Sequence, residues 1–145
     1  MNIRIATEAD FSQWLLLWKG YQDFYKTDID ESTTETTWSR FHNVAEPMHC
    51  AVAEVEGHLI GIVHYIQHRS CWTTGVYIYL QDLFVKSDFR AKGVGRALIQ
   101  HVYAAAADAG ASRVYWLTHD SNSDAMLLYD RIADKTGFIQ YRKLI

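Results

Sequence analysis

Apolar residues follow two different periods along this chain. Phe11, Trp14, Leu15, Trp18, Tyr21 and Tyr25 recur at steps of three and four, which predicts an amphipathic helix. Thr7, with Asp10 three residues on, is an N-cap signal for it, and Asn2 to Ala6 reads as a short opening strand. An acidic polar loop, Thr27 to Glu31, leads to a second, threonine-rich helix over Ser32 to Phe41. Two strand-like runs follow, Cys50 to Val55 and Leu59 to Gln67. Glu56-Gly57 between them predicts a hairpin. Gly75 opens a further strand, Val76 to Val85. In Ala97 to Ala109, Leu98, Ile99, Val102, Tyr103 and Ala106 share one helix face, and Gly110 stops the helix. A short buried strand over Arg113 to Thr118, a helix over Asp124 to Ala133 and a final strand over Phe138 to Leu144 complete the pattern. The order β-α-α-β-β-β-α-β-α-β predicts one mixed α/β domain over residues 1–145.

Composition narrows the function. Hydrophobic residues make up 49% and charged residues 21% of the 145, a globular balance. No apolar run reaches the length of a membrane span, and the opening MNIRIATEADF lacks the apolar centre of a signal peptide. Cys50 and Cys71 form neither a metal-type pair nor a disulfide framework, so a reducing cytosol is expected. The net charge of −3 disfavours nucleic acid as a partner. Among seven histidines, His64 and His68 share a strand face, but no cysteine or carboxylate cluster stands beside them in sequence, and no metal is expected.

The chemistry concentrates in Arg90-Ala91-Lys92-Gly93-Val94-Gly95-Arg96, between a strand and a helix. Two glycines one residue apart allow a tight turn and close approach of a ligand. The helix then offers free N–H groups and the positive end of its dipole, a place for a pyrophosphate, and Arg90, Lys92 and Arg96 add positive charge. A Rossmann loop would need a third glycine, and a phosphate-binding P-loop would need Gly-Lys-Ser/Thr; both are absent. A glycine-lined helix start without a ligand stands beside the pyrophosphate reading.

Arg-x-x-Gly-x-Gly after a strand resembles the coenzyme A loop of the GCN5-related N-acetyltransferases. Downstream, Asn122, Ala125, Leu128-Tyr129 and Gly137-Phe138 are similar to a second signature of that family, and the order of elements matches. Tyr79 to Arg90 and His49 to Val55 resemble the corresponding segments of its diamine acetyltransferases. The resemblance implies a mostly antiparallel twisted sheet flanked by helices, and transfer of acetyl from acetyl-coenzyme A to a primary amine without a covalent enzyme intermediate.

By match, backbone groups of Leu83, Phe84 and Val85 would bind the pantetheine arm. Arg90 and Ala91 through Arg96 would bind the pyrophosphate, and Asn122 and Ala125 would flank the coenzyme. Tyr129 would be the general acid that protonates the departing thiolate. Gln81 stands where the diamine enzymes carry a glutamate, and glutamine takes no proton. The proton acceptor is then Asp82, on the opposite strand face by alternation, or a water chain, or no group at all where the amine arrives partly neutral. Gln81 and Asp28, the latter in the acidic loop, are the candidate contacts to the acceptor. Trp38, Trp72 and Tyr25 are candidate pocket walls, and His119 a loop residue near the site. A polyamine-like small amine is the expected acceptor, with peptide lysine and a non-catalytic acyl-coenzyme A sensor as alternatives. The single closing strand, where the family has two, implies a homodimer.

Overall fold

The computed structural model describes all 145 residues. Five strands form one sheet in the order β1-β2-β3-β4-β5: Asn2–Ile5, Met48–Val55, His58–Arg69, Val76–Val85 and Arg113–Tyr115. The first four run antiparallel to their neighbours, and β5 joins β4 in parallel. Glu56 and Gly57, which turn β2 into β3, both have positive φ (50° and 78°), the backbone of a type I′ hairpin turn.

Helices cover both faces. On one lie α1 (Phe11–Phe24) and α2 (Glu31–Phe41). Trp14, Leu17 and Trp18 are buried there against Cys50, Val52, Leu59 and Ile62. Trp38 packs at a tilt on Trp14, with ring centroids 4.6 Å apart; it joins this core, and its free side lines a surface pocket with His42 and Asn43, away from the cleft beside β4. On the other face α3 (Val94–Asp108) buries Leu98, Ile99 and Val102 against Val63, Tyr65, Ile78 and Leu80. Each such side chain contributes about 1.5–3 kcal/mol by leaving water. The helix α4 (Ser123–Ile132) packs Leu128, Tyr129 and Ile132 onto the edge of this second core, and the Tyr103 hydroxyl donates to the Ile132 carbonyl at 2.9 Å. No helix is long and apolar enough to cross a membrane.

The N-terminal capping signal is used, in a different place. Thr7 caps a single 3-10 turn, Glu8–Asp10, and α1 begins only at Phe11. Asp10 is buried and takes both ends of the Arg4 guanidinium, at 2.7 and 2.9 Å, so the turn is tied to β1. Arg4 also pairs with Glu54 on β2 at 2.6 Å. Asp30 caps α2, accepting from the Thr33 N–H at 2.6 Å. Buried Gln22 accepts from the Ile29 N–H at 2.8 Å and fixes the intervening loop.

One predicted element is not formed. Residues 133–145 carry no strand, and Phe138, Ile139, Tyr141, Leu144 and Ile145 all stand exposed. The alternation over Phe138 to Leu144 suits a strand only where a neighbouring strand accepts its hydrogen bonds, and within this chain the segment pairs with none.

Candidate active site

The site follows from a failure of pairing. β4 and β5 are joined only over Tyr77 to Tyr79 and Arg113 to Tyr115. From Leu80 to Val85, β4 has no partner on that side, and a cleft opens. Tyr21 and Tyr25 of the α1 end, Leu80, Gln81 and Leu83 of β4, Trp116 to Thr118 beyond β5, and Tyr129 of α4 line it. Lys86 donates to the Ile60 carbonyl at 2.9 Å. By the two-residue alternation of an antiparallel ladder, Phe84 therefore bonds back to Ile62, and Leu83 and Val85 turn their N–H and C=O groups to the open side. The Val85 carbonyl already accepts from Arg90 Nε at 3.0 Å. Of the three backbone candidates, Leu83 thus has both polar groups free for the cleft. Phe84 contributes its ring, which lies against α1 where Gly20 leaves room: a Cβ there would meet Phe84 Cζ at 2.9 Å.

At the lower end of the cleft, Ala91 and Gly93 both take left-handed φ (57° and 82°), and Gly93 caps α3. The N–H groups of Ala91, Lys92 and Gly93 donate to no acceptor in the protein. Those of Val94, Gly95 and Arg96 open the helix, where a helix offers them none. Six consecutive donors without an acceptor thus sit at the positive end of the α3 dipole. A Cβ at Gly93 would meet nothing within 4 Å, whereas one at Gly95 would touch Leu83, Leu128 and Val85 at 3.9–4.0 Å, so the open space lies at Gly93 and Gly95 sits against those side chains. Lys92 and Arg96 are exposed beside it, and Arg90 spends its guanidinium on Val85 and on the rings of Phe24 and Phe84, each 5.7 Å away. A donor set of this kind is chemically compatible with an anion such as a pyrophosphate.

Asn122 precedes α4 and donates from Nδ2 to Thr118 Oγ1 at 3.1 Å, which ties the loop after β5 to the helix; Ala125 is half-buried one turn on. Tyr129 reaches the cleft from α4 with its ring 5.3 Å from Trp116. Burial, with Tyr25 nearby, raises its phenol above the ordinary value of 10.0, so it keeps its proton at neutral pH.

β4 carries a bulge at Gln81: Tyr65 pairs with Leu80 and His64 with Asp82. Before the bulge, Ile78 and Leu80 face α3; after it, Leu83 and Val85 do. Asp82 therefore turns to the α1 face, buried, with Oδ2 2.9 Å from His64 Nδ1. Trp14 Nε1 donates to His64 Nε2, also at 2.9 Å. Tyr21 lies beside the same carboxylate, and burial together with the Asp82 charge holds its phenol far above the usual range. Gln81 is exposed in the cleft. Asp28 is exposed in the α1–α2 loop and does not line the cleft. Trp72 is 90% exposed beyond β3, away from the site. His119 bonds Ser121 in the loop before α4, and His68 bonds the Tyr115 hydroxyl.

No motif in the sequence marks His64, Trp14, Tyr21 or Trp116 as site residues. Tyr21 and Tyr25 carried a signal: spaced by four, they share one helix face, and the site uses the end of a stripe that otherwise serves the core.

Residues 13–133 match the sequence profile of the acetyltransferase (GNAT) family. The chain is 38% identical to the D-amino-acid N-acetyltransferase HPA3 of Saccharomyces cerevisiae, over 99% of this chain and 92% of that protein. It is 36% identical to the thialysine N-epsilon-acetyltransferase of Bos taurus, over 88% and 79%. A crystal structure of a probable acetyltransferase superposes with a TM-score of 0.88 at 23% identity, covering 100% of this chain and 98% of the other. The ribosomal-protein-alanine N-acetyltransferase of Brucella melitensis superposes with 0.83 at 20% identity, with full coverage of both.

Proposed function

The chain belongs to the GNAT family of acetyltransferases, and from that premise we propose that it transfers acetyl from acetyl-coenzyme A to the primary amine of a small molecule of amino-acid type. The observation that carries the reading is the cleft itself: a free Leu83 backbone edge, the cradle of Ala91 to Arg96 below it and a protonated Tyr129 at its wall. The relatives named for D-amino acids and for thialysine both acetylate amines of amino acids, which puts that acceptor class ahead of a polyamine. Gln81 in place of a carboxylate supports the same order, because it offers an acceptor cation no charge.

Acetyl-coenzyme A, when bound, supplies a thioester open to attack by a neutral amine. The residues of the chain do the rest. The cradle holds the pyrophosphate, with Asn122 and Ala125 beside it. The Leu83 N–H is placed to hydrogen-bond an oxygen that gains charge in the cleft. Tyr129 gives its proton to the departing sulfur, and Asp82 is the carboxylate available to take one from the acceptor.

Thiol release from acetyl-coenzyme A tests this against D-amino acids, thialysine, lysine, spermidine, putrescine and a histone-tail peptide. Turnover with an amino-acid amine is the expected outcome. Preference for spermidine or the peptide would move the acceptor class. Tight coenzyme binding with silence across the panel would make the chain a sensor of acyl-coenzyme A.

The same reading includes a homodimer in the cytosol. The apolar side chains of residues 138–145 and the unpaired outer edge of β5 support a second copy as their cover. The free thiols of Cys50 and Cys71 suit a reducing compartment.

A further inference from the structure

His64 is 2% exposed and enclosed by aromatic rings, with Trp18 at 5.1 Å and Phe41 at 4.7 Å between centroids. It has two polar contacts, one at each ring nitrogen. An indole N–H only donates, so the Trp14 bond requires a lone pair on His64 Nε2. The ring proton then sits on Nδ1 and points at Asp82 Oδ2. A doubly protonated ring would set two donors against each other at Nε2. Trp14 thus fixes both the tautomer and the neutrality of His64, and His64 in turn presents one fixed N–H to the carboxylate.

Asp82 is the only acidic side chain buried on this side of the sheet next to the cleft. His64 faces it from β3, Tyr21 from α1, Cys50 from β2 and Tyr79 from its own strand. Of these, Tyr21 lines the cleft.

We propose that His64 is a positioning residue for proton removal from the acceptor: it holds Asp82 by Oδ2 and leaves Oδ1 to accept the amine's proton through the Tyr21 hydroxyl. An N–H bond of the acceptor ammonium breaks, and the nitrogen keeps the electron pair for attack. The Tyr21 oxygen takes that proton as its own passes to Oδ1, so tyrosine ends unchanged and Asp82 ends as the neutral acid. The inference rests on the acetyl-transfer reading. It explains how a chain with glutamine at position 81 retains a base: the carboxylate lies one residue on, rotated to the other face by the bulge.

Three variants and one spectrum test it. His64→Leu removes the N–H at similar volume. A hydrogen bond to a charged group is worth ~1.5–3 kcal/mol, so kcat/KM for the amine should fall roughly 10- to 100-fold. The KM for acetyl-coenzyme A should stay unchanged, and the acidic limb of the kcat/KM profile should move to higher pH, because the anion has lost a donor. His64→Asn, whose amide N–H replaces the one on Nδ1, should recover most of the loss. Tyr21→Phe should lower kcat/KM as His64→Leu does. Independently of any variant, long-range nitrogen-15 correlation of the wild-type histidines should show His64 protonated at Nδ1 and bare at Nε2. An Nε2-protonated ring, an unmoved acidic limb in His64→Leu, or equal losses in the Leu and Asn variants that track their melting temperatures would overturn the proposal. Absence of wild-type turnover with every amine would instead remove the acetyl-transfer reading beneath it.

Discussion

Tyr129 of α4 faces Tyr25 of the α1 end across one cleft, although 104 positions separate them in the chain. Tyr129→Phe keeps the ring and its packing on Trp116 and removes only the proton. We expect kcat to fall by roughly 10²-fold or more, within the range for a lost general acid, with coenzyme affinity unchanged. A raised phenol also keeps its proton to higher pH than an ordinary tyrosine. The alkaline limb of kcat in the wild type should therefore lie above 10.0, the ordinary tyrosine value. Unchanged kcat in the variant would reduce Tyr129 to a packing residue.

The cradle separates steric from electrostatic effects at one position. Gly95→Ala adds a methyl group at ordinary contact distance, 3.9 Å or more from Leu83 and Leu128, and should leave the fold intact. Gly95→Asp brings a negative charge to the proposed pyrophosphate site. Calorimetric titration with coenzyme A should show binding in the first variant and none in the second. Retained affinity in Gly95→Asp would place the phosphates elsewhere.

The Arg4–Asp10 pair makes stability depend on pH. The Arg4 guanidinium, helped by the Thr7 backbone and against the opposing effect of burial, lowers Asp10 from its ordinary 3.8 to about 2. Because the folded value is depressed, the stabilisation is complete above the ordinary value and fades as the pH falls towards the folded one. Asp10→Asn should cost roughly 1–2 kcal/mol at neutral pH and flatten the acid slope of the melting temperature in that window. A parallel slope in both proteins would show that Asp10 carries none of it.

The exposed tail gives a hydrodynamic prediction. Sedimentation velocity should find a dimer for the whole chain and a monomer for a chain ending at Lys135, which lacks Phe138, Ile139 and Tyr141. A monomer in both cases would leave these side chains without a second copy to cover them.

Most of the fold was legible because the cores impose their periods on the chain. The α3 face of Leu98, Ile99 and Val102 and the strand Val76–Val85 follow directly from spacing. The glycine loop was legible as well, because its backbone needs are met by few residue types. The alternation over Phe138 to Leu144 predicts a strand that does not form, because alternation reports which side chains are apolar and not whether a partner edge is present. Asp82 was the harder case. Alternation sets it opposite Gln81, but a strict period of two also sets it with Ile78 and Leu80, against α3. Its true neighbour, His64, lies 18 positions away and is met only through a register that a bulge has shifted. No local pattern announces the bulge.

That bulge frees one position from the packing. Gln81 belongs to neither hydrophobic layer: the residues before it serve one phase of the pleat, those after it the other, and its side chain stands in the cleft. A codon change here asks nothing of the packing on either side. On the proposed function, Gln81→Glu would change the charge offered to an acceptor while leaving the melting temperature unchanged, because the side chain packs in neither layer.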